Sequence, residues 1–146
     1  YVILNRDFPP VLDKNFVWWV PQKLDIEAMR TAASKLIGCH DFTSFRAIEC
    51  QAKSPVKTLD KIDLSFQSSE FRKELQSENC NLNSELCIDF SAKSFLHHQV
   101  RNIVGTLVEI GRGKPYDIES ILNARDRGAA GPTAPAAGLF FISAEY

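Results

Sequence analysis

The spacing of the apolar residues changes once in the middle of the chain, and this change marks the centre of the fold. Over residues 85–92 apolar and polar residues alternate, which predicts a half-buried strand. After Ser94 apolar residues recur every three or four positions, which predicts an amphipathic helix over residues 94–111. Ser94 suits the N-cap of this helix, and Gly111 suits its end. We therefore expect a strand that leads into a long central helix.

Other segments are predicted to be strands of the same sheet. Apolar residues alternate again over residues 58–67, and this segment is expected to pair antiparallel with residues 86–92. The polar residues 68–83 between them predict a long surface connection. The remaining strands are predicted at residues 1–4, 16–20 and 139–144. The sheet should be mostly antiparallel or mixed, with about four to five strands, as is usual for sheets.

Two further helices are predicted from the same kind of pattern. One covers residues 24–37, because Asp25 can cap its start and Gly38 suits its end. A shorter helix lies within residues 114–127, with Asp117 as its N-cap. The two long helices should cover one face of the sheet, so the predicted fold class is α+β. The predicted buried face of the first helix consists of Ile26, Met29, Ala33, Leu36 and Ile37.

Small polar residues and two phenylalanines follow the first of these helices, which indicates a loop or short turn. Phe42 and Phe45 should anchor this segment in the core. His40 and Asp41 are a conceivable acid–base pair, but adjacent side chains seldom face each other. A cap of a short turn is the better interpretation of Asp41, since aspartate is a preferred cap residue.

A polar stripe runs beside the apolar face of the predicted central helix. Its residues lie at i, i+3, i+4, i+7 and i+11, which places them on one side of a helix: Ser94, His97, His98, Arg101 and Gly105. Glycine inside a helix costs about 1 kcal/mol relative to alanine, so we expect another backbone to approach Gly105 closely. From spacing alone, a solvated face with two satisfied histidines is the favoured interpretation.

A loop of small residues is predicted over residues 128–138. Its two prolines should make it stiff, and its glycines and alanines should let a ligand or a backbone come close. The alternative is a plain linker to the last predicted strand.

The charge balance argues against a generally basic surface for nucleic acid. The 146 residues include 17 basic and 18 acidic ones, which gives a formal net charge of −1. A nucleic-acid partner must therefore be held by a local patch or by another part of the protein. The length indicates one domain over residues 1–146. Apolar runs fall far short of about 20 residues, so no membrane partner is predicted.

The cysteines lack the two-residue spacing that is typical of zinc and redox motifs: Cys39, Cys50, Cys80 and Cys87. In a domain of this size we expect free thiols in a reducing cytosol, and hence a cytoplasmic location. A metal site formed by His97, His98 and the cysteines is disfavoured, because adjacent histidines rarely bind one metal together. We therefore predict no metal.

Three segments resemble tRNA pseudouridine synthases of the TruA type, in the order in which that family has them in its C-terminal half. They cover residues 40–46, 94–105 and 133–139. The second reads SFLHHQVRNIVG and is a specific signature. The likeness extends over the chain and is thin between Ser68 and Ser84. The chain begins in a predicted strand without a methionine, so we expect a piece of a longer protein, and the resemblance implies that this piece is its C-terminal domain.

The resemblance implies an isomerase that converts uridine into pseudouridine in the anticodon arm of tRNA. Such enzymes act as homodimers and use no metal or organic cofactor. A nucleophilic Asp helps to detach the base from its ribose, and Arg101 matches a family Arg that lies against this Asp. A guanidinium there would keep a buried carboxylate ionised and fix its orientation. The further residues expected to line the cleft or touch RNA are Arg46, His97, His98, Ala134, Pro135 and Gly138.

The chain departs from the family pattern in its acidic residue. The family's Asp lies in an Arg-Thr-Asp stretch of the N-terminal half, whereas Arg30-Thr31 is followed here by Ala32. The family also has an active-site Tyr in a Tyr-x-Tyr pair near the middle of the protein. Tyr1 matches the second tyrosine of that pair, so we expect the first just upstream of this chain. We therefore expect half a catalytic cleft, inactive alone, with exposed apolar surface where the other half docks. The alternative is a non-catalytic RNA-binding or interaction module on the same scaffold.

Overall fold

A mixed five-stranded sheet and three helices form the fold in this computed structural model, which describes residues 1–12, 14–67 and 85–146. The strands are β1 (Val2–Leu4), β2 (Trp18–Trp19), β3 (Gly38–Asp41), β4 (Val56–Gln67) and β5 (Glu85–Ala92). The helices are α1 (Ile26–Ser34), α2 (Gln99–Gly111) and α3 (Ile118–Ala124). The strand order is β2-β1-β5-β4-β3, in which β1 and β2 are parallel and the other neighbours antiparallel. The predicted α+β class and sheet size are confirmed.

One face of the sheet is apolar and forms half of the core. β4 and β5 pair antiparallel as predicted, with Leu64 opposite Ile88. β1 continues the same face, because Ile3 lies opposite Leu86. Directly opposed residues of neighbouring strands share a face, so these four buried side chains form one continuous apolar surface.

Helices α1 and α2 cover this face and pack against each other. Met29 of α1 and Leu107 of α2 are fully buried in the common core. The Asp25 amide donates to the Gly111 carbonyl (2.8 Å), which ties the start of α1 to the end of α2. The predicted caps are confirmed: Asp25 accepts from the Ala28 amide at the start of α1, and Asp117 caps α3.

The central helix starts later than predicted. It begins at Gln99, so Ser94 is not its N-cap, and His98 precedes it with a left-handed backbone (φ 61°). Long-range and side-chain hydrogen bonds hold the preceding residues outside the helix. The Leu96 amide donates to Gln99 Oε1 (2.8 Å), and the His97 carbonyl accepts from the Ala47 amide (3.0 Å).

The end of the first helix and the segment after it also differ from the prediction. α1 ends at Ser34, so Ile37 lies beyond it and is 42% exposed instead of buried. Part of the segment that was predicted to be a loop forms the edge strand β3. This strand pairs with β4 through main-chain hydrogen bonds, which a local sequence pattern cannot reveal. Phe42 and Phe45 are fully buried anchors, as predicted. Asp41 Oδ1 accepts from the Thr43 amide (2.9 Å), which confirms its role as a turn cap.

The predicted last strand, residues 139–144, is not formed, and the predicted second strand is reduced to Trp18–Trp19. Residues 139–144 have the composition of a strand, but composition alone does not form one. A strand also needs a free edge of the sheet with which to pair. The side chains of Phe140 and Phe16 instead stack on each other, with ring centroids 6.5 Å apart. The predicted surface connection over residues 68–83 lies outside the described residues.

Among the described residues, Cys39, Cys50 and Cys87 are free thiols, and Cys80 lies outside them. No helix within residues 1–12, 14–67 and 85–146 has the length and apolar character needed to cross a bilayer.

Candidate functional site

Arg101 lies in the first turn of α2 and is held from two sides by the loop that follows α3. The Ala134 amide donates to the Arg101 carbonyl (3.0 Å), and Arg101 Nε donates to the Ala134 carbonyl (2.8 Å). One residue, Ala134, thus fixes both the main chain and the side chain of the arginine. Within the described residues, neither terminal guanidinium nitrogen has a hydrogen-bond or salt-bridge partner. The fork of Arg101 is therefore available to an anionic group.

Tyr1 lies on the other side of the same loop. Its hydroxyl donates to the Pro135 carbonyl (2.5 Å), and its ring meets that of Trp18 edge-on at 6.4 Å. Burial raises the pKa of the Tyr1 phenol far above its ordinary value, and the nearby charge of Arg101 offsets part of this rise. The phenol therefore remains a protonated donor near Arg101.

Close main-chain approaches hold the loop against α2 and β1. A Cβ at Gly105 would collide with the Pro132 carbonyl, so the predicted approach of another backbone to this glycine is confirmed. A Cβ at Gly138 would lie 2.6 Å from the Val2 carbonyl oxygen. The loop of small residues is therefore a packed element of the fold and not a plain linker.

The two histidines are neighbours at the start of α2, but they do not form the predicted helical stripe with Arg101. His97 is exposed and His98 half-buried, and their ring centroids lie 4.0 Å apart. Burial lowers the pKa of His98, and the nearby His97 and Arg101 lower it further. At neutral pH His98 is therefore an uncharged hydrogen-bonding group.

Arg46 is half-buried and lies in a turn that contacts His97, because the amide of the next residue, Ala47, donates to the His97 carbonyl. Its Nη2 contacts the Cys50 carbonyl at 3.4 Å, a weak hydrogen bond. Main-chain hydrogen bonds from Ala52 and then His97 lower the pKa of the Cys50 thiol, and Arg46 adds to this effect. The turn and the start of α2 therefore meet around Cys50.

The family model described as tRNA pseudouridine synthase matches residues 32–146, which is most of the chain. The chain belongs to the tRNA pseudouridine synthase family. It is 50% identical over its whole length to tRNA pseudouridine synthase A of Paramagnetospirillum magneticum, of which it covers 52%. It is 46% identical to tRNA pseudouridine synthase A of Xanthobacter autotrophicus, of which it covers 54%. The chain therefore spans about half the length of these curated relatives.

Membership of this family indicates which anionic group the unpaired end of Arg101 could bind. The resemblance implies that the family Arg matching Arg101 lies against an Asp of the N-terminal half. No carboxylate of the described residues forms a salt bridge with Arg101. The arrangement can thus bind a carboxylate or another anion that these residues do not supply.

Three residues of the site were not named individually from the sequence: Asn102, Arg127 and Thr133. Asn102 is fully buried and contacts both Arg127 and Thr133 through its Oδ1 (3.1 and 2.6 Å). The sequence carries only a weak signal for Asn102, which follows Arg101 directly. The helix that carries both residues was predicted to begin at Ser94, and this start is wrong. Arg127 ends the range within which the third helix was predicted, but it lies beyond α3, and Nη1 of its guanidinium donates to the Gly131 carbonyl (2.8 Å).

Within the described residues, no three His, Cys, Asp or Glu side chains are grouped so that they could hold a metal ion. Among the residues that the structure describes, His97 and His98 have no third ligand of this kind beside them.

Proposed function

We propose that this chain supplies the arginine side of the uridine cleft in a tRNA pseudouridine synthase, as the C-terminal domain of that enzyme. The observation that carries this proposal is the state of Arg101. Its Nε is bound to the Ala134 carbonyl, while its terminal nitrogens have no partner among the described residues. A side chain that is fixed at its base and free at its tip is well suited to hold a second group in a defined position.

The group that Arg101 holds is the nucleophilic Asp, which the rest of the protein contributes. A two-pronged contact from a guanidinium stabilises the charged form of a carboxylate and so lowers its pKa. The carboxylate then attacks the nucleotide while it is fully ionised. The net reaction replaces the bond from N1 of the base to C1′ of the ribose by a bond from C5, and one proton moves from C5 to N1. This isomerisation consumes no oxidant or reductant.

The start of α2 and the adjoining loop form the surface that meets tRNA. His97 is exposed and Arg46 is half-buried beside it. Pro135 is exposed on the loop, while Ala134 and Gly138 are buried and act by keeping the loop close to the helix. His98 contributes as a neutral imidazole. The target uridine must leave its stack to enter the cleft, since a base inside a helix is inaccessible to these groups.

An exposed apolar surface supports the docking of further protein. Phe16 and Phe140 stack on each other and remain 58% and 43% exposed. Exposed apolar residues lie near them in the chain on both sides: Phe8, Val11, Leu12, Phe141 and Ile142. Surfaces of this kind mark contacts with other protein. We assign this surface to the other half of the enzyme, and we propose a homodimer in the cytoplasm as the working assembly.

The experiment is a pseudouridylation assay with unmodified tRNA. It compares the chain alone, the complete gene product, and the complete product with Arg101→Ala. Activity of the complete product, with none in the chain alone and a large loss on the Arg101 change, is the expected result. If the complete product binds tRNA without modifying it, the chain is a non-catalytic RNA-binding module. If the chain alone is active, the carboxylate lies in the chain and the proposal is wrong.

A further inference from the structure

Asn102 is the point at which the three segments around Arg101 are joined. It follows Arg101 on α2 and is fully buried. Its Nδ2 donates to the Phe45 carbonyl (2.7 Å), in the turn that carries Arg46. Its Oδ1 accepts from Thr133 Oγ1 (2.6 Å), in the loop that carries Ala134. One amide side chain thus connects the turn, the helix and the loop.

The orientation of this amide is determined by its partners. A carbonyl oxygen only accepts hydrogen bonds, so the Phe45 contact requires the NH₂ end of Asn102. A guanidinium only donates, so the Arg127 contact at 3.1 Å requires the oxygen end. A rotated amide would face a like group at both ends. Asn102 therefore has one satisfactory orientation. Its fixed amide in turn holds the main chain of the turn and of the loop in defined positions.

The connection reaches Arg101 through one residue, Ala134. Thr133 is bound by Asn102, and the next residue, Ala134, exchanges two hydrogen bonds with Arg101. Arg127 strengthens the same link, since its guanidinium also donates to Thr133 Oγ1 (3.0 Å) and to the Gly131 carbonyl (2.8 Å). The position of the carbonyl that receives Arg101 Nε therefore depends on Asn102.

We propose that Asn102 is a positioning residue, which keeps Thr133 and, through it, Ala134 in place and so holds the fork of Arg101 in its reactive orientation. This inference rests on the proposed function of Arg101. Asn102 touches neither the substrate nor the reacting atoms, and it acts through Ala134. A purely structural role, in which the buried amide only stabilises the fold, is the competing explanation.

Two variants of the complete protein test the link from opposite ends. Asn102→Ala removes all its side-chain hydrogen bonds. Thr133→Val removes only the hydroxyl that bonds to Asn102, and Thr133 is an exposed residue. Leu36→Ala is the control for stability, because Leu36 is fully buried and its apolar side chain forms no hydrogen bond to the loop. Thr31→Val is the control for loss of a hydroxyl, since Thr31 Oγ1 bonds within α1.

Steady-state kinetics on tRNA is the first readout, at a temperature at which every variant is folded. We expect kcat to fall by about tenfold or more in Asn102→Ala and Thr133→Val with KM within about twofold, because small misplacements of catalytic groups cost rate. Asn102→Asp keeps the acceptors for Arg127 and Thr133 and should recover part of this loss. Both controls should retain the wild-type kcat. Equal losses in Asn102→Ala and Leu36→Ala would overturn the proposal.

Hydrogen exchange at the Ala134 amide is the second readout and requires no activity. This amide donates to the Arg101 carbonyl, so it should exchange faster in Asn102→Ala than in Leu36→Ala at equal global stability. Unchanged exchange in Asn102→Ala would overturn the positioning role. If the wild-type complete protein does not modify tRNA, the proposed function fails, and the exchange result alone decides whether Asn102 holds the loop.

Discussion

Gly105 of α2 lies directly under the carbonyl of Pro132, with no room for a side chain between the helix and the loop. A Cβ at Gly105 would lie 2.8 Å from the Pro132 carbonyl carbon and closer still to its oxygen. This contact brings the loop onto the helix one turn after Arg101. The glycine therefore sets the distance at which Ala134 can bind Arg101.

Gly105→Ala should destabilise the chain and detach the loop. The new methyl group meets rigid backbone, so we expect a loss of about 3 kcal/mol or more, at the upper end for overpacking. Gly111→Ala in the same helix is the matched control. Its methyl group meets side chains and not backbone, namely those of Met29 (2.7 Å) and Leu24 (3.2 Å), so a smaller loss of about 1–2 kcal/mol is expected. Urea unfolding checks both, and equal losses would contradict the role of the Pro132 contact.

Arg101→Lys should abolish most activity of the complete protein although it keeps the positive charge. Lysine lacks both the Nε–H that reaches Ala134 and the planar fork. We expect kcat to fall by about 100-fold or more, as for loss of a group that positions and stabilises reacting charge. Arg30→Lys on the exposed side of α1 is the control and should be nearly neutral. A fully active Arg101→Lys protein would show that charge alone suffices.

Tyr1→Phe removes the hydroxyl that donates to Pro135. The loss of one such hydrogen bond should lower the free energy of unfolding by about 0.5–1.5 kcal/mol. Tyr116→Phe is the control, because the Tyr116 hydroxyl forms no hydrogen bond within the part of the chain that the structure describes. Thermal unfolding followed by circular dichroism measures both. If the two variants lose the same stability, the Pro135 contact contributes nothing.

Glu109→Gln should remove part of the acid sensitivity of the fold. Burial opposes ionisation of Glu109, but hydrogen bonds from Lys114 and Arg112 outweigh it and hold the pKa of this carboxyl below its usual range. A folded pKa below the unfolded value of about 4.3 means that the stabilisation is fully present above that pH. It is then lost as the pH falls through the folded pKa.

The variant should lose about 1–3 kcal/mol at pH 7, because Glu109 is 2% exposed and its bond to Arg112 (2.6 Å) weakens. Its stability should then change less than that of the wild type between pH 5 and pH 3, which are about the limits of ordinary carboxyl titration. Glu119→Gln, at an exposed pair with Lys35, should have almost no effect. A parallel pH dependence in wild type and Glu109→Gln would contradict the prediction.

The sequence determined those parts of the protein that depend on local pattern. Alternation predicted the pairing of β4 with β5, because a strand with one buried face must alternate. Asp25 and Asp117 predicted two helix starts, since a cap and the amide that it binds lie three residues apart in the chain. The long segment around Arg101 also identified the family. Gly105 predicted a close approach, although the sequence could not name Pro132 as its partner.

Tertiary structure alone decided where α2 begins, where β3 forms, and how the loop binds Arg101. The start of α2 depends on the bond from the Ala47 amide to the His97 carbonyl, and β3 exists because β4 offers it an edge. Asn102 binds Phe45 and Thr133, which are 57 and 31 residues away along the chain. Periodicity tells which side of an element is buried, but it does not tell which distant main-chain groups that side will meet. Those partners are fixed only when the segments pack together.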